Sequence, residues 1–301
     1  MEPILGAHLW RVPPRTLGSE YGAEMAEPQS AEPATGQSDD SSDLPDIRFD
    51  LANGVARLTL NRPAKRNSLS WDMLIELRRL LREVKTNDAA RVVVITGAGD
   101  QAFCAGADLT GMAAGAGHLA QHDLRGELAA LFNDLWNLGM PTIARINGFA
   151  LAGGMGLALA CDLVIASETA VFGTPEIDVG LWPYMITVPL VRSMPPKKAL
   201  ELMMTGRRVD AAEADRLGFV TRVVPAADLD QVVDELATTL ASKSPAILRL
   251  GRQAFYDCWD EAAAEALPLL HALLTVNAAT NDAAEGIAAF IEKRAPKWTG
   301  T

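Results

Sequence analysis

Cysteine is scarce in this chain. Cys104, Cys161 and Cys258 stand far apart with no CxxC spacing, which argues against a disulfide framework or a zinc site and for a reducing cytoplasm. Long hydrophobic runs are missing as well. No apolar stretch reaches the roughly 18 residues that a membrane-spanning helix needs. The N-terminus lacks the basic region, apolar stretch and small-residue cleavage site of a secretory signal. Histidine is thin: His8 lies in the N-terminal tail and His271 in a late helical stretch, so no Ser-His-Asp triad is expected. His118 and His122 would share a helix face, but they have no third ligand nearby, and no metal site is expected. Positive charge is also in deficit. Residues 1–46 hold nine acids against two bases, so they account for −7 of the formal −11 and leave −4 for the rest. A nearly balanced body can still carry a local basic patch for an anionic ligand, but it gives nucleic-acid binding no support.

What is present divides into three parts. Residues 1–45 are rich in Pro, Glu, Ala, Gly and Ser without apolar periodicity and read as a disordered extension. Order begins with two alternating runs, Ile47–Leu51 and Val55–Leu60, around Asn53-Gly54, a strong hairpin signal. Ser70 reads as the N-cap of an amphipathic helix with the stripe Met73, Leu74, Leu77, Leu80 and Leu81. Strands are expected at Val92–Ile95, Thr142–Ile146 and Asp162–Ala166, with helices around 123–138 and from the glycine-rich 152–156. This alternation argues for parallel βαβ units over residues 46–225. From Ile186 the pattern is mostly helical apart from Phe219–Val224, and residues 226–301 form a helical C-terminal region.

Four segments in order then resemble the crotonase (enoyl-CoA hydratase/isomerase) superfamily. They are Asn61-Arg-Pro-Ala-Lys-Arg-Asn-Ser-Leu69, Phe103-Cys-Ala-Gly-Ala-Asp-Leu109, Ile146-Asn-Gly-Phe-Ala-Leu-Ala-Gly-Gly-Met-Gly-Leu157 and Phe172-Gly-Thr-Pro-Glu-Ile-Asp-Val-Gly180. Glu285–Arg294 is similar to the family's closing helix. The resemblance implies an α/β spiral of ββα units with a helical C-terminal region that builds trimers or dimers of trimers. It also implies an acyl-CoA thioester as substrate, with CoA part of the substrate and no separate cofactor.

Chemistry at a thioester carbonyl creates an enolate, whose charge needs hydrogen-bond donors fixed in advance. The resemblance takes those donors from the backbone N–H groups of Ala107 and Gly153, the latter at a helix start where unpaired N–H groups and positive dipole coincide. Ala105, Asp108, Leu109 and Gly154 beside them count as substrate-binding candidates. Arg62, Ala64, Lys65 and Arg66 match the loop along the ADP end of CoA, with Arg66 the best single candidate for a phosphate and Lys293 a further one. Tyr184 falls on the segment bordering the acyl pocket.

The departure from the pattern is at the carboxylates. Hydratases of the family hold one water between two glutamates; Glu176 matches the second, but Gly156 stands where the first belongs. A single glutamate is the isomerase pattern, moving one proton between C2 and C4. Isomerisation is therefore favoured, with hydration, decarboxylation and non-catalytic acyl-CoA binding as alternatives. Asp178, two residues past Glu176, is a candidate replacement if the backbone there is extended.

Overall fold

A computed structural model describes residues 45–108 and 117–301. Residues 1–44 of the expected 1–45 extension, the candidate Leu109 and the glycine-rich stretch 111–116 lie outside those residues. In chain order the elements run β1 (Ile47–Ala52), β2 (Val55–Leu60), α1 (Trp71–Lys85), β3 (Val92–Gly97), β4 (Ala102–Cys104), α2 (His118–Trp136), β5 (Thr142–Ile146) and β6 (Phe149–Leu151). Next come α3 (Gly153–Ala160), β7 (Leu163–Ser167), β8 (Val171–Gly173), α4 (Thr187–Ser193), α5 (Pro196–Thr205), β9 (Arg208–Asp210), α6 (Ala211–Leu217) and β10 (Arg222–Val224). Four helices close the chain: α7 (Leu229–Ala241), α8 (Pro245–Cys258), α9 (Ala263–Ala278) and α10 (Asn281–Glu292).

Asn53 and Gly54 take φ of 51° and 82°, the left-handed pair of a tight hairpin, and set β1 antiparallel to β2. From β2 onward a six-stranded sheet runs parallel in the order β1-β2-β3-β5-β7-β10. Ser70 caps α1 by accepting from the Met73 N–H at 3.2 Å, and Met73, Leu74, Leu77, Leu80, Leu81 and Val84 bury its apolar stripe. Strand alternation then divides the core. Val93, Ile95, Ala144, Ile146, Val164 and Ala166 join the main cluster with α1, α2 and α3. Val92, Val94, Ile143 and Ile165 face the other way and pack under Leu229, Val233 and Ala237 of α7. The first helix of the C-terminal region thus covers the sheet, while the three that follow it carry exposed apolar side chains such as Phe255, Leu267 and Ile287.

A second sheet was not foreseen. Three-residue strands β4, β6 and β8 run parallel to one another, and β9 adds antiparallel to β8, in the order β4-β6-β8-β9. Strands β4, β6 and β8 overlap three of the motif segments. Two buried amides tie them to the larger sheet. Asn67 Nδ2 donates to the carbonyls of Ala98 and Ala102 at 3.0 and 2.7 Å, and Asn147 Nδ2 donates to those of Gly97, Gly99 and Ala102. Among the described residues no helix is long and apolar enough to cross a membrane.

Candidate active site

Because β4, β6 and β8 are parallel neighbours, their C-terminal ends lie side by side, the edge where open α/β sheets present their ligand sites. Each end feeds one candidate group: Ala107 follows β4, Gly153 follows β6 and Glu176 follows β8. Three of the four sequence motifs are thus the chain segments leaving one sheet edge.

The two backbone donors are brought together by Gly106. It takes φ of 98°, and a Cβ there would lie 2.7 Å from Ala152 Cβ and 3.6 Å from the Gly153 nitrogen. Residues 106–107 therefore run against the start of α3. The neighbouring N–H groups are used structurally, since Ala105 donates to the Arg66 carbonyl and Asp108 to that of Leu69. Ala152 donates to Gly173 across the sheet, and Gly156 begins the helical pattern by donating to Ala152. The N–H groups of Ala107 and Gly153 have no acceptor among the described residues. Gly154 has a different part. A Cβ at 154 would lie 2.3 Å from the Cys104 carbonyl oxygen, so this glycine lets α3 press onto β4. The Cys104 thiol is fully buried, and burial pushes it up to about 12, which removes it as a nucleophile.

Glu176 lies in a short 3₁₀ turn, Pro175–Val179, with Pro at its start and Gly180 closing it in the left-handed conformation. Burial pushes its carboxyl up to about 7, against a hydrogen bond from its own backbone N–H. Its Oε2 is buried without a hydrogen-bond partner among the described residues, and so is the hydroxyl of nearby Thr174. A carboxyl poised near neutrality with an unused oxygen suits a group that both takes and returns a proton. The expectation for Asp178 is corrected here. The turn is helical, so the two-residue alternation of an extended strand does not apply, and Asp178 is exposed with its carboxylate beside Gly206.

The basic loop divides into buried and free charges. Arg62 donates to Asp108 Oδ2 at 2.9 Å and to the Ser68 carbonyl, with only 14% of its side chain exposed. It fixes the loop, and Asp108 is the buried acid that holds it. Lys65 reaches the same carboxylate at 3.4 Å while staying mostly exposed. Ala64 and Arg66 are exposed; Arg66, at φ 50°, has no ion pair among the described residues. Lys293 ends α10 at φ 56°, also exposed and without an ion pair among them. Ala105 is half-buried beside Cys104, and Tyr184 is 73% exposed just before α4. Among the described residues no group of three His, Cys, Asp or Glu could hold a metal ion. Sequence reasoning passed over Asn67 and Asn147. Both stand inside the quoted motifs, and a polar residue between apolar strand ends was the available signal.

The model of the Enoyl-CoA hydratase/isomerase family matches residues 50–301. A probable enoyl-CoA hydratase of Mycobacterium bovis is 39% identical over 247 residues, 81% of this chain and 94% of the relative. The 2,3-dehydroadipyl-CoA hydratase of Escherichia coli is 38% identical over 255 residues, 82% of this chain and 95% of that one. Among solved structures, an enoyl-CoA hydratase from Bacillus anthracis superposes with a TM-score of 0.82 at 36% identity, covering 85% of this chain and all of that one. Human enoyl-CoA hydratase domain-containing protein 3 gives 0.81 at 31% identity, over 84% of this chain and 100% of its own.

Proposed function

This chain belongs to the enoyl-CoA hydratase/isomerase family, and from that membership we propose that it moves a carbon–carbon double bond within an acyl-CoA thioester, with Glu176 carrying the proton. The observation that supports this most is the lone, half-neutral carboxyl of Glu176 at the same sheet edge as two unused backbone donors. In this reading the Glu176 carboxylate removes a proton from C2 of a 3-enoyl-CoA. The electron pair delocalises onto the thioester oxygen, which accepts from the N–H groups of Ala107 and Gly153. The protonated carboxyl then returns the same proton at C4, the double bond moves to C2–C3, and no co-reactant is consumed. Fixed donors of this kind lower the barrier because they need no reorganisation as charge develops.

Arg66 and Lys293 are the side chains best suited to the CoA phosphates, since neither is held by a carboxylate among the described residues. Arg62 serves the loop instead. Hydration is the second reading, supported by the Escherichia coli relative, whose name is that of a hydratase. A panel of CoA thioesters followed by mass spectrometry separates the cases. Isomerisation of 3-enoyl-CoA without change of mass supports the proposal. Gain of water from 2-enoyl-CoA favours hydration, loss of carbon dioxide from a malonyl-type thioester favours decarboxylation, and binding without turnover favours a carrier.

Assembly with further copies fits the same reading. Helix α9 has no buried residue, although Leu267, Leu270, Leu274 and Val276 are all exposed on it. Exposed apolar surface of this extent is a mark of an interface, and a trimer or dimer of trimers would cover it.

A further inference from the structure

Position 156 is empty of side chain for a reason that the packing makes visible. A Cβ built on Gly156 would lie 2.3 Å from Cγ2 and 2.9 Å from Cβ of Ile186, and 2.9 Å from Cζ of Phe132. Both neighbours are 2% exposed. Ile186 is the residue that opens α4, and Phe132 stands on the buried face of α2. Ile186 is branched at Cβ and has little rotamer freedom with which to retreat, and Phe132 is held in the main core cluster. Two elements distant in sequence thus converge on one glycine and fill the volume its side chain would need.

We infer that Ile186 and Phe132 are specificity-determining residues: together they form an apolar plug that occupies the seat of a second carboxylate at position 156 and leaves Glu176 to act alone. This rests on Glu176 as the proton carrier. The loss of the glutamate is then coupled to a repacking that closes the water-holding position, and restoring an acid at 156 by itself restores nothing. Buried carboxylate atoms pressed against an isoleucine would lack hydrogen-bond partners as well as space. With the plug in place, a proton can pass between Glu176 and carbon, while a water at C3 has no second group to orient it.

The test uses the full chain with four variants: Ile186→Ala, Gly156→Glu, the two combined, and Glu176→Gln. Thermal melting reads the packing, and mass spectrometry of 3-hydroxyacyl-CoA against 2-enoyl-CoA reads the hydration-to-isomerisation ratio. Gly156→Glu alone should melt well below the parent and gain no hydration. The combined variant should recover melting toward that of Ile186→Ala and raise the ratio at least about tenfold, the scale of one general acid–base group being 10²–10⁴. If the combined variant does not fold, the smaller Gly156→Ala takes the place of Gly156→Glu, and Ile186→Ala should rescue its melting. The plug is refuted if Gly156→Glu melts like the parent, if the folded combined variant leaves the ratio unchanged, or if Ile186→Ala does not rescue Gly156→Ala. Should Glu176→Gln retain isomerisation, the reading of Glu176 fails instead, and the melting results still judge the plug.

Discussion

Ala152 stands directly against Gly106, and this contact joins the two backbone donors. Ala152 has φ 51° and ψ −130°, a conformation that costs a non-glycine residue about 1–3 kcal/mol. Gly106, at φ 98°, leaves no room for a Cβ beside it. Ala152→Gly should therefore relieve strain, less the roughly 0.4–1 kcal/mol that glycine adds to the unfolded chain's entropy. The expected outcome is a net gain of about 1 kcal/mol in denaturant unfolding. Gly106→Ala should do the reverse and cut turnover, because it pushes residues 106–107 away from Gly153.

Arg252 fastens α8 to the sheet. Its Nε donates to Asp162 Oδ2 at 2.8 Å, and its terminal nitrogens donate to the carbonyls of Trp136 and Leu135. Tyr256 adds a hydrogen bond to Asp162 at 2.6 Å. Removing one partner of a largely buried pair typically costs about 3–5 kcal/mol. Arg252→Ala should lower the unfolding free energy by about 3 kcal/mol, read as a lower midpoint with the denaturant slope unchanged. A loss under about 1 kcal/mol would show that the pair is well solvated.

Much of this was legible before any coordinates. The hairpin at Asn53-Gly54, the stripe of α1 and the Ser70 cap follow from local rules that act over a few residues. The motif segments marked Ala107, Gly153 and Glu176. The second sheet was not legible, because strands of three residues such as Ala102–Cys104 carry no readable period. The turn at Glu176 was readable in principle: Pro175 at its start and Gly180 at its end are helix-type punctuation, and reading that stretch as extended gave Asp178 a place it does not have. The filling of position 156 by Ile186 and Phe132 could not be read, since partners at that separation are set by tertiary packing alone.

The exposed apolar face of α9 leads to an assembly prediction. Light scattering at micromolar concentration should report a trimer or hexamer. Leu274→Glu, at a position 64% exposed in the single chain, should yield smaller species with unchanged helix content. A monomeric parent would contradict the proposed assembly.

The pH dependence follows from Glu176. Its carboxyl, raised to about 7 by burial, must be ionised to take the proton from C2. kcat/KM should therefore fall about tenfold per pH unit below that value and level off above it. The stability effect has the opposite sense. The folded pKa is raised, so the contribution from neutral Glu176 is complete below the ordinary value near 4.3 and is lost as pH rises through about 7. Glu176→Gln keeps a neutral side chain, so its melting temperature should gain on that of the parent between pH 4 and pH 8.

The most direct measurement is single-turnover conversion of a 3-enoyl-CoA by Glu176→Gln, with acyl-CoA affinity measured on the same preparation. Glutamine keeps the size and hydrogen-bonding capacity of the side chain but cannot accept a proton, and loss of such a base typically costs about 10²–10⁴ in rate. The account predicts a fall in that range with affinity within a few-fold of the parent. Turnover that survives the substitution at near the parental rate would contradict it and move the proton transfer to another group.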